Sequence, residues 1–99
     1  GVRILSRKTI ETMMANQSVE LDENEGTYHG LAFAVTSEKT ISKGGLGSVG
    51  TFEWGGAFNT QYFADPKENI IGIILKQTLG GNEPTGWKFK QMVYSLIDD

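Results

Sequence analysis

The chain has no cysteine, two prolines and a single histidine among its 99 residues. Without cysteine it has no disulfide framework, no thiolate nucleophile, and no cysteine-ligated zinc or iron–sulfur centre. The one imidazole, His29, has no second histidine or carboxylate at a metal-ligand spacing, so the sequence indicates a surface or capping histidine and no metal site. The lack of cysteine leaves the cellular compartment open.

Basic charge and long apolar runs are also scarce. Nine lysines and arginines stand against twelve aspartates and glutamates, a formal net charge of −3, and no basic run exceeds two residues. Nucleic-acid binding needs a basic patch, so we expect no nucleic-acid partner. The longest strongly apolar stretch, residues 70–75, is far shorter than the ~20 residues of a membrane-spanning helix, so we expect no membrane span.

The remaining composition, 38% hydrophobic and 21% charged residues, is typical of one soluble globular domain over residues 1–99. Ser6 is a good N-cap, and Ile10, Met13 and Met14 follow at helical spacing. They predict a surface helix with one buried stripe that ends near residues 16–17. A second helix is predicted at the C-terminus, with Thr85 as its cap. Its apolar positions are Trp87, Phe89, Met92, Val93, Leu96 and Ile97.

Four extended segments are predicted between the helices, at residues 31–36, 52–56, 60–65 and 70–77. Asp65 and Pro66 open a turn too short for a parallel crossover, so we expect an antiparallel sheet. Residues 70–77 are apolar on both faces, which predicts a strand covered on each side. The fold class is therefore α+β, with about three main strands flanked by an N-terminal and a C-terminal helix.

Two loop segments carry suggestive patterns that we interpret as structural. Residues 45–50 spell G-x-G-x-x-G, but a strand-like segment follows where a dinucleotide site needs a helix. We therefore expect a flexible connection over residues 37–51. Residues 18–30 contain an acidic cluster at 22–25 without the alternating ligands of a calcium loop, and we expect a solvated loop. No G-x-S-x-G or S-x-x-K nucleophile motif occurs.

Two adjacent glycines, Gly55 and Gly56, interrupt a strand pattern. Glycine weakens a strand and marks either a bulge or a place where another group approaches the backbone closely. Both interpretations are open at this point: a simple bulge, or a strand edge whose N–H groups donate hydrogen bonds to a ligand carbonyl.

The order of several segments resembles the C-terminal part of the β-lactamase-related serine hydrolases, which include class C β-lactamases, penicillin-binding-protein-like peptidases and esterases. The resemblance spans residues 3–97, and its most specific segments are 30–35, 52–60, 63–72 and the helix beginning at Leu5 and Ser6. Of the family's three motifs, only the Lys-Thr-Gly-like triplet falls in this region, as Trp54-Gly55-Gly56. Tryptophan stands where most β-lactamases have a cationic or imidazole residue, a feature similar to the esterase and peptidase-like branches.

The resemblance implies a role for the three residues of this triplet and for the three that follow it. The amide of Ala57 would form the oxyanion hole together with the nucleophile's own amide. Trp54, Gly55 and Gly56 would form the substrate-side strand, and Phe58 and Asn59 would line the acyl pocket or its rim. The chemistry would be acyl transfer through a serine ester, on ester, amide or β-lactam substrates, with no metal or organic cofactor.

The family's nucleophile and general base match no residue here, so the resemblance implies a C-terminal fragment that is inactive alone. In the family fold, N-terminal strands complete the sheet beside residues 70–77. We therefore expect this edge to pair either with the N-terminal remainder of the domain or with a second copy of the chain. The alternative is a non-enzymatic α+β module that binds a partner chain by β-strand addition.

Overall fold

The computed structural model describes residues 1–18, 27–81 and 83–97. In chain order, the elements are α1 (Arg7–Met14), β1 (Thr27–His29), β2 (Ala34–Thr36), α2 (Glu38–Ser42), β3 (Phe52–Gly55), β4 (Gln61–Asp65), β5 (Ile70–Ile74) and α3 (Thr85–Ser95). The acidic cluster at residues 22–25 lies outside the described residues.

The strands form one antiparallel sheet in the order β1-β2-β3-β4-β5, each strand paired with its neighbour in sequence. This confirms the α+β class and the antiparallel sheet, while the number of strands is five and not about three. β2 lies within the predicted extended segment 31–36, and the strand that the prediction missed is β1, with three residues. A strand this short carries almost no alternation in the sequence, and its ladder with β2, with Tyr28 opposite Val35, forms it.

The predicted cap of α1 is confirmed, because the Ser6 hydroxyl accepts a hydrogen bond from the Thr9 amide at 3.1 Å. The predicted buried stripe is wrong. No residue of α1 is buried, and Ile10 is 49% exposed. The helix is joined to the sheet region at its end, where the carbonyl of Met13 accepts from the Leu31 amide at 2.9 Å.

The segment 37–51 contains a short helix, α2, that the loop prediction missed. Its sequence signal is Ser37, whose hydroxyl accepts from the Thr40 amide at 3.4 Å, with Glu38 in the first turn. The rest of the segment is irregular, and Gly47 and Gly50 have positive φ angles of 96° and 92°. Residues 45–50 therefore connect α2 to β3, and no helix follows them as a dinucleotide site requires.

Among the described residues, the buried apolar core consists of Val35 of β2 and Phe63 of β4, and Phe63 lies between the sheet and α3. Phe63 of β4, 3% exposed, packs against Phe89 and Tyr94 with ring centroids 6.2 and 5.6 Å apart. Gly72 of β5 lies opposite Phe63, and a Cβ at Gly72 would stand 2.3 Å from the Phe63 ring. Glycine at this position thus makes room for the largest side chain of the core.

The start of α3 differs from the prediction. Thr85 is the first helical residue and not the cap. Its amide and hydroxyl both donate to the carboxylate of Glu83, which also pairs with Lys76. An acidic side chain therefore satisfies the first helix amide in place of a threonine hydroxyl.

α3 has 11 residues, and no helix in the described ranges is both long and apolar enough to cross a membrane.

The segment 70–77, whose apolar pattern predicted a strand covered on each side, contains β5 at Ile70–Ile74, and this strand lies at the edge of the sheet, the edge for which a further partner was expected. In the described part of the chain, β5 pairs with β4 alone. Ile71 and Ile73 are 74% and 60% exposed, while Gly72 between them is buried. The apolar alternation does place one face against α3, but nothing among these residues covers the other.

Candidate functional site

The Trp54-Gly55-Gly56 triplet lies where β3 extends beyond its neighbour β2. The ladder between the two strands ends at Ala34, opposite Glu53. On the other side, β3 remains paired with β4 through Gly55, opposite Gln61. We call residues 54–57 the ledge, because among the described residues a paired strand lies on one side of them only.

The hydrogen-bond alternation of the ladder shows which ledge groups point to the open side. Gly56 donates its amide to Thr60 on the β4 side at 2.8 Å, whereas the carbonyl of Thr51 accepts from Thr36 on the β2 side at 2.8 Å. Successive residues of an antiparallel strand alternate in this way, so the backbone polar groups of Gly55 point away from β4. They lie beyond the end of β2.

Ala57 follows the ledge glycines in a tight turn. The Asn59 amide donates to the carbonyl of Gly56 at 3.0 Å, which makes Ala57 the second residue of a four-residue turn. Residues 54–58 are all exposed. Among the hydrogen bonds of the described residues, none uses the amide of Ala57. An unbonded donor thus lies at the end of an exposed stretch of backbone.

Aromatic side chains border the ledge at Trp54. Trp54 is 50% exposed, and the His29 ring meets its ring edge-on, with centroids 5.6 Å apart. Phe33 packs beside them, with its ring 5.1 Å from Phe52 and 6.4 Å from Tyr62. The lone histidine is therefore part of an aromatic wall next to Trp54, a contact the sequence alone did not predict.

Phe58 and Asn59 lie on the opposite side of the turn from the open edge. The carbonyl of Phe58 accepts from the Thr78 amide at 3.2 Å. The Asn59 side chain donates to the carbonyls of Thr78 and Gly80 at 2.6 and 3.1 Å. Asn59 also has a φ angle of 66°, a conformation that asparagine tolerates better than most residues. It fastens the segment after β5 to the turn, while the Phe58 side chain remains half exposed.

A cleft of about 440 Å³ opens beside the ledge. Trp54 and Gly55 form part of its wall, and Trp87 and Phe89 of α3 and Leu46 of the α2–β3 connection add apolar surface. Its charged groups are Glu53 and Lys90, whose side chains pair at 2.7 Å. Thr36, Thr40 and Gln61 add neutral polar groups, so the cleft presents a mixed polar, apolar and aromatic surface with no unpaired cation from the residues described.

At the end of β4 away from the ledge lies Asp65, which is 1% exposed and which the sequence assigned only to a turn. The predicted turn bonds are confirmed: one carboxylate oxygen accepts from the amides of Lys67 and Glu68 at 2.9 and 3.1 Å. The other oxygen accepts from the Tyr94 hydroxyl. Both carboxylate oxygens accept hydrogen bonds within the fold, so Asp65 is a structural residue.

The described residues contain no group of three or more metal-ligating side chains.

No family model matches the chain. Over 76 residues it is 34% identical to oxysterol-binding protein-related protein 11 of Homo sapiens; the match covers 77% of this chain and 10% of that protein. Over 88 residues it is 30% identical to two Mycobacterium tuberculosis proteins, uncharacterized protein MT1414 and protein Rv1367c, with 78% of this chain and 22% of each relative covered. The chain thus spans between about a tenth and about a fifth of the length of these curated relatives.

Proposed function

We propose that this chain is the substrate-side segment of a serine hydrolase of the β-lactamase-related type, acting by acyl transfer through a serine ester. The single observation that carries the proposal is the unbonded, exposed amide of Ala57 at the end of the ledge. The resemblance assigns the oxyanion-hole donor to this residue. The names of the relatives do not mention a hydrolase, and they describe proteins several times longer than this chain.

Two further features support an acyl substrate at the ledge. The backbone of Gly55 faces the open side, so an extended acyl group can pair with it as an added strand would. The cleft beside Trp54 has the size of a small-molecule site and combines aromatic surface with neutral polar groups and one ion pair. With Glu53 and Lys90 paired, these walls favour a neutral acyl group over a carboxylate-bearing one.

In the proposed reaction, a serine hydroxyl supplied from outside these residues attacks the carbonyl carbon of an ester or amide. The carbonyl oxygen gains negative charge, and the Ala57 amide donates a hydrogen bond to it. The tetrahedral intermediate then expels the alcohol or amine, and water releases the acid in a second step. One such donor contributes about 3–4 kcal/mol to the stabilisation of the transition state.

The sharpest test removes the amide proton and leaves the turn in place. Ala57 occupies the second turn position, where proline is favoured, so Ala57→Pro deletes the donor within a compatible backbone. In the full-length protein, we expect kcat for an activated ester to fall about 10²–10³-fold. The matched control, Ala57→Gly, retains the amide and keeps most of the activity.

Two outcomes contradict the proposal. Equal kcat values for the proline and glycine variants would show that the amide is not an oxyanion donor. Ester turnover by the 99-residue chain alone, at a rate similar to that of the full-length protein, would show that the nucleophile is not missing from it.

A second candidate is a non-enzymatic module that binds another chain by strand addition. The exposed edge of β5 favours it, since Ile71 and Ile73 have no neighbouring strand among the described residues. An intact full-length protein without any ester or amide hydrolysis would favour this candidate.

A further inference from the structure

The outer edge of β5 has a pattern of free backbone groups that the sheet register fixes. Because Gly56 and Thr60 form a hydrogen-bonded pair, the even-numbered residues of β4 bond to β3 and the odd-numbered ones bond to β5. Gln61, Phe63 and Asp65 are opposite Ile74, Gly72 and Ile70. The amides and carbonyls of Ile71 and Ile73 therefore point outward from the sheet.

The same two residues also carry the exposed apolar side chains. Ile71 and Ile73 are 74% and 60% exposed on the face opposite α3, and Leu75 beyond them is 80% exposed. An edge strand with unpaired backbone groups and apolar side chains is a template for pairing with another strand. No lysine or proline interrupts residues 70–75 to prevent such pairing.

The sequence of β5 is the same in both directions, Ile-Ile-Gly-Ile-Ile. In an antiparallel strand pair related by a two-fold axis, each residue meets a residue of the same strand, so this palindrome brings isoleucine opposite isoleucine and glycine opposite glycine. With the axis at Gly72, Ile71 of one copy lies opposite Ile73 of the other, so the outward-pointing groups face each other. The two glycines meet as a non-hydrogen-bonded pair, the type in which the backbones approach most closely, at about 4.5 Å.

We propose that a second copy of this chain occupies the β5 edge and forms a two-fold dimer with a continuous ten-stranded sheet. Four isoleucines, Ile71 and Ile73 from each copy, form one apolar cluster on the face opposite α3. The proposal uses neither the ledge nor the cleft, and it concerns the 99-residue chain, because in the hydrolase proposal the N-terminal strands of the full domain would occupy the same edge. The contact is small, so we expect a weak dimer with a dissociation constant between about 1 µM and about 1 mM.

The test compares two double variants of the 99-residue chain by sedimentation equilibrium. Ile71→Lys with Ile73→Lys puts four cations into the cluster and is expected to weaken association at least tenfold. Ile71→Lys with Ile73→Glu is the matched control, since a two-fold axis at Gly72 places each new lysine opposite a new carboxylate. This variant is expected to associate as the wild type does.

Circular dichroism establishes that both variants are folded, which is expected because the substituted side chains are already exposed. A third variant, Met92→Lys with Leu96→Lys, changes exposed apolar residues of α3 and should leave association unchanged. If the wild-type chain remains monomeric at about 1 mM, or if the two-lysine β5 variant associates as tightly as the wild type, the proposal is wrong. Loss of association in the Lys/Glu variant would also contradict the proposal. It would mean that the two copies pair in another register, in which like charges lie opposite each other.

Discussion

The hydroxyl of Tyr94 on α3 donates a 2.8 Å hydrogen bond to the buried carboxylate of Asp65 at the end of β4. Burial by itself raises the pKa of Asp65, but hydrogen bonds from Tyr94, the Glu68 amide, Ser48 and Thr51 outweigh it, and the net pKa lies below its usual value. Burial, followed by the bond to Asp65, raises the pKa of Tyr94. One bond thus joins the C-terminal helix to the β4–β5 turn.

Replacement of Tyr94 by phenylalanine should lower the free energy of unfolding by about 1.5–3 kcal/mol, the usual contribution of a hydrogen bond to a charged group. Since the folded-state pKa of Tyr94 is raised, its contribution is complete below the ordinary tyrosine pKa of about 10 and is lost as the pH rises above that. Urea unfolding between pH 7 and pH 11 measures both effects. The control is Tyr62→Phe, whose hydroxyl has no hydrogen bond in the described part of the chain. Equal stabilities of the two variants at pH 7 would contradict the prediction.

Glu83 links the segment after β5 to the start of α3. The hydrogen bond from Lys76, followed by those from Thr85, lowers the pKa of Glu83 to about 2. A lowered pKa means that the stabilisation is present above pH 4.5 and is lost as the pH falls from 4.5 towards 2.

We therefore expect Glu83→Gln to melt at a lower temperature than the wild type at pH 7 and to show less change in melting temperature between pH 4.5 and pH 2. Differential scanning calorimetry across this range gives the comparison. Lys76→Gln should act in the same direction, because it removes the leading cause of the shift. A glutamine variant with the same pH dependence as the wild type would mean that Glu83 does not contribute through this pair.

Gly72 is expected to be the least replaceable glycine of the sheet. A Cβ there would lie 2.3 Å from the Phe63 ring, so Gly72→Ala forces the ring or the strand to shift. Overpacking of this kind costs about 1–3 kcal/mol of unfolding free energy. Gly81→Ala is the control, since nothing lies within 4 Å of a Cβ at Gly81. If thermal melts place the two variants within a degree of each other, Phe63 does not require this gap.

Much of the fold was predictable because local chemistry determines it. Ser6 caps α1 in both the sequence and the structure, Asp65 accepts the turn amides expected of it, and the strands beginning at Phe52 and Ile70 start where the patterns place them. The two hydrogen bonds join residues two or three positions apart, and each strand start follows from the pattern of neighbouring residues. Short-range geometry therefore follows from the sequence without knowledge of the rest of the chain.

Two short elements, β1 and α2, and the exposure of the side chains of α1 and β5 were not predicted. β1 exists because three residues pair with β2, and a three-residue strand has no period to detect. The apolar pattern around Ile10 indicated burial, but no described part of the sheet covers that face of α1. An apolar face shows that a partner is favourable, not that one is present.

The sequence by itself determined the α+β class, the antiparallel order and the bare glycine pair at residues 55 and 56, because period, turn length and missing side chains are local properties. Only the tertiary structure decided that β2 ends opposite Glu53 and leaves the ledge open, that His29 meets Trp54, and that Tyr94 reaches Asp65. These relationships join residues between 19 and 29 positions apart or depend on where a neighbouring strand ends. Their distances are set by the packing of the whole sheet against α3.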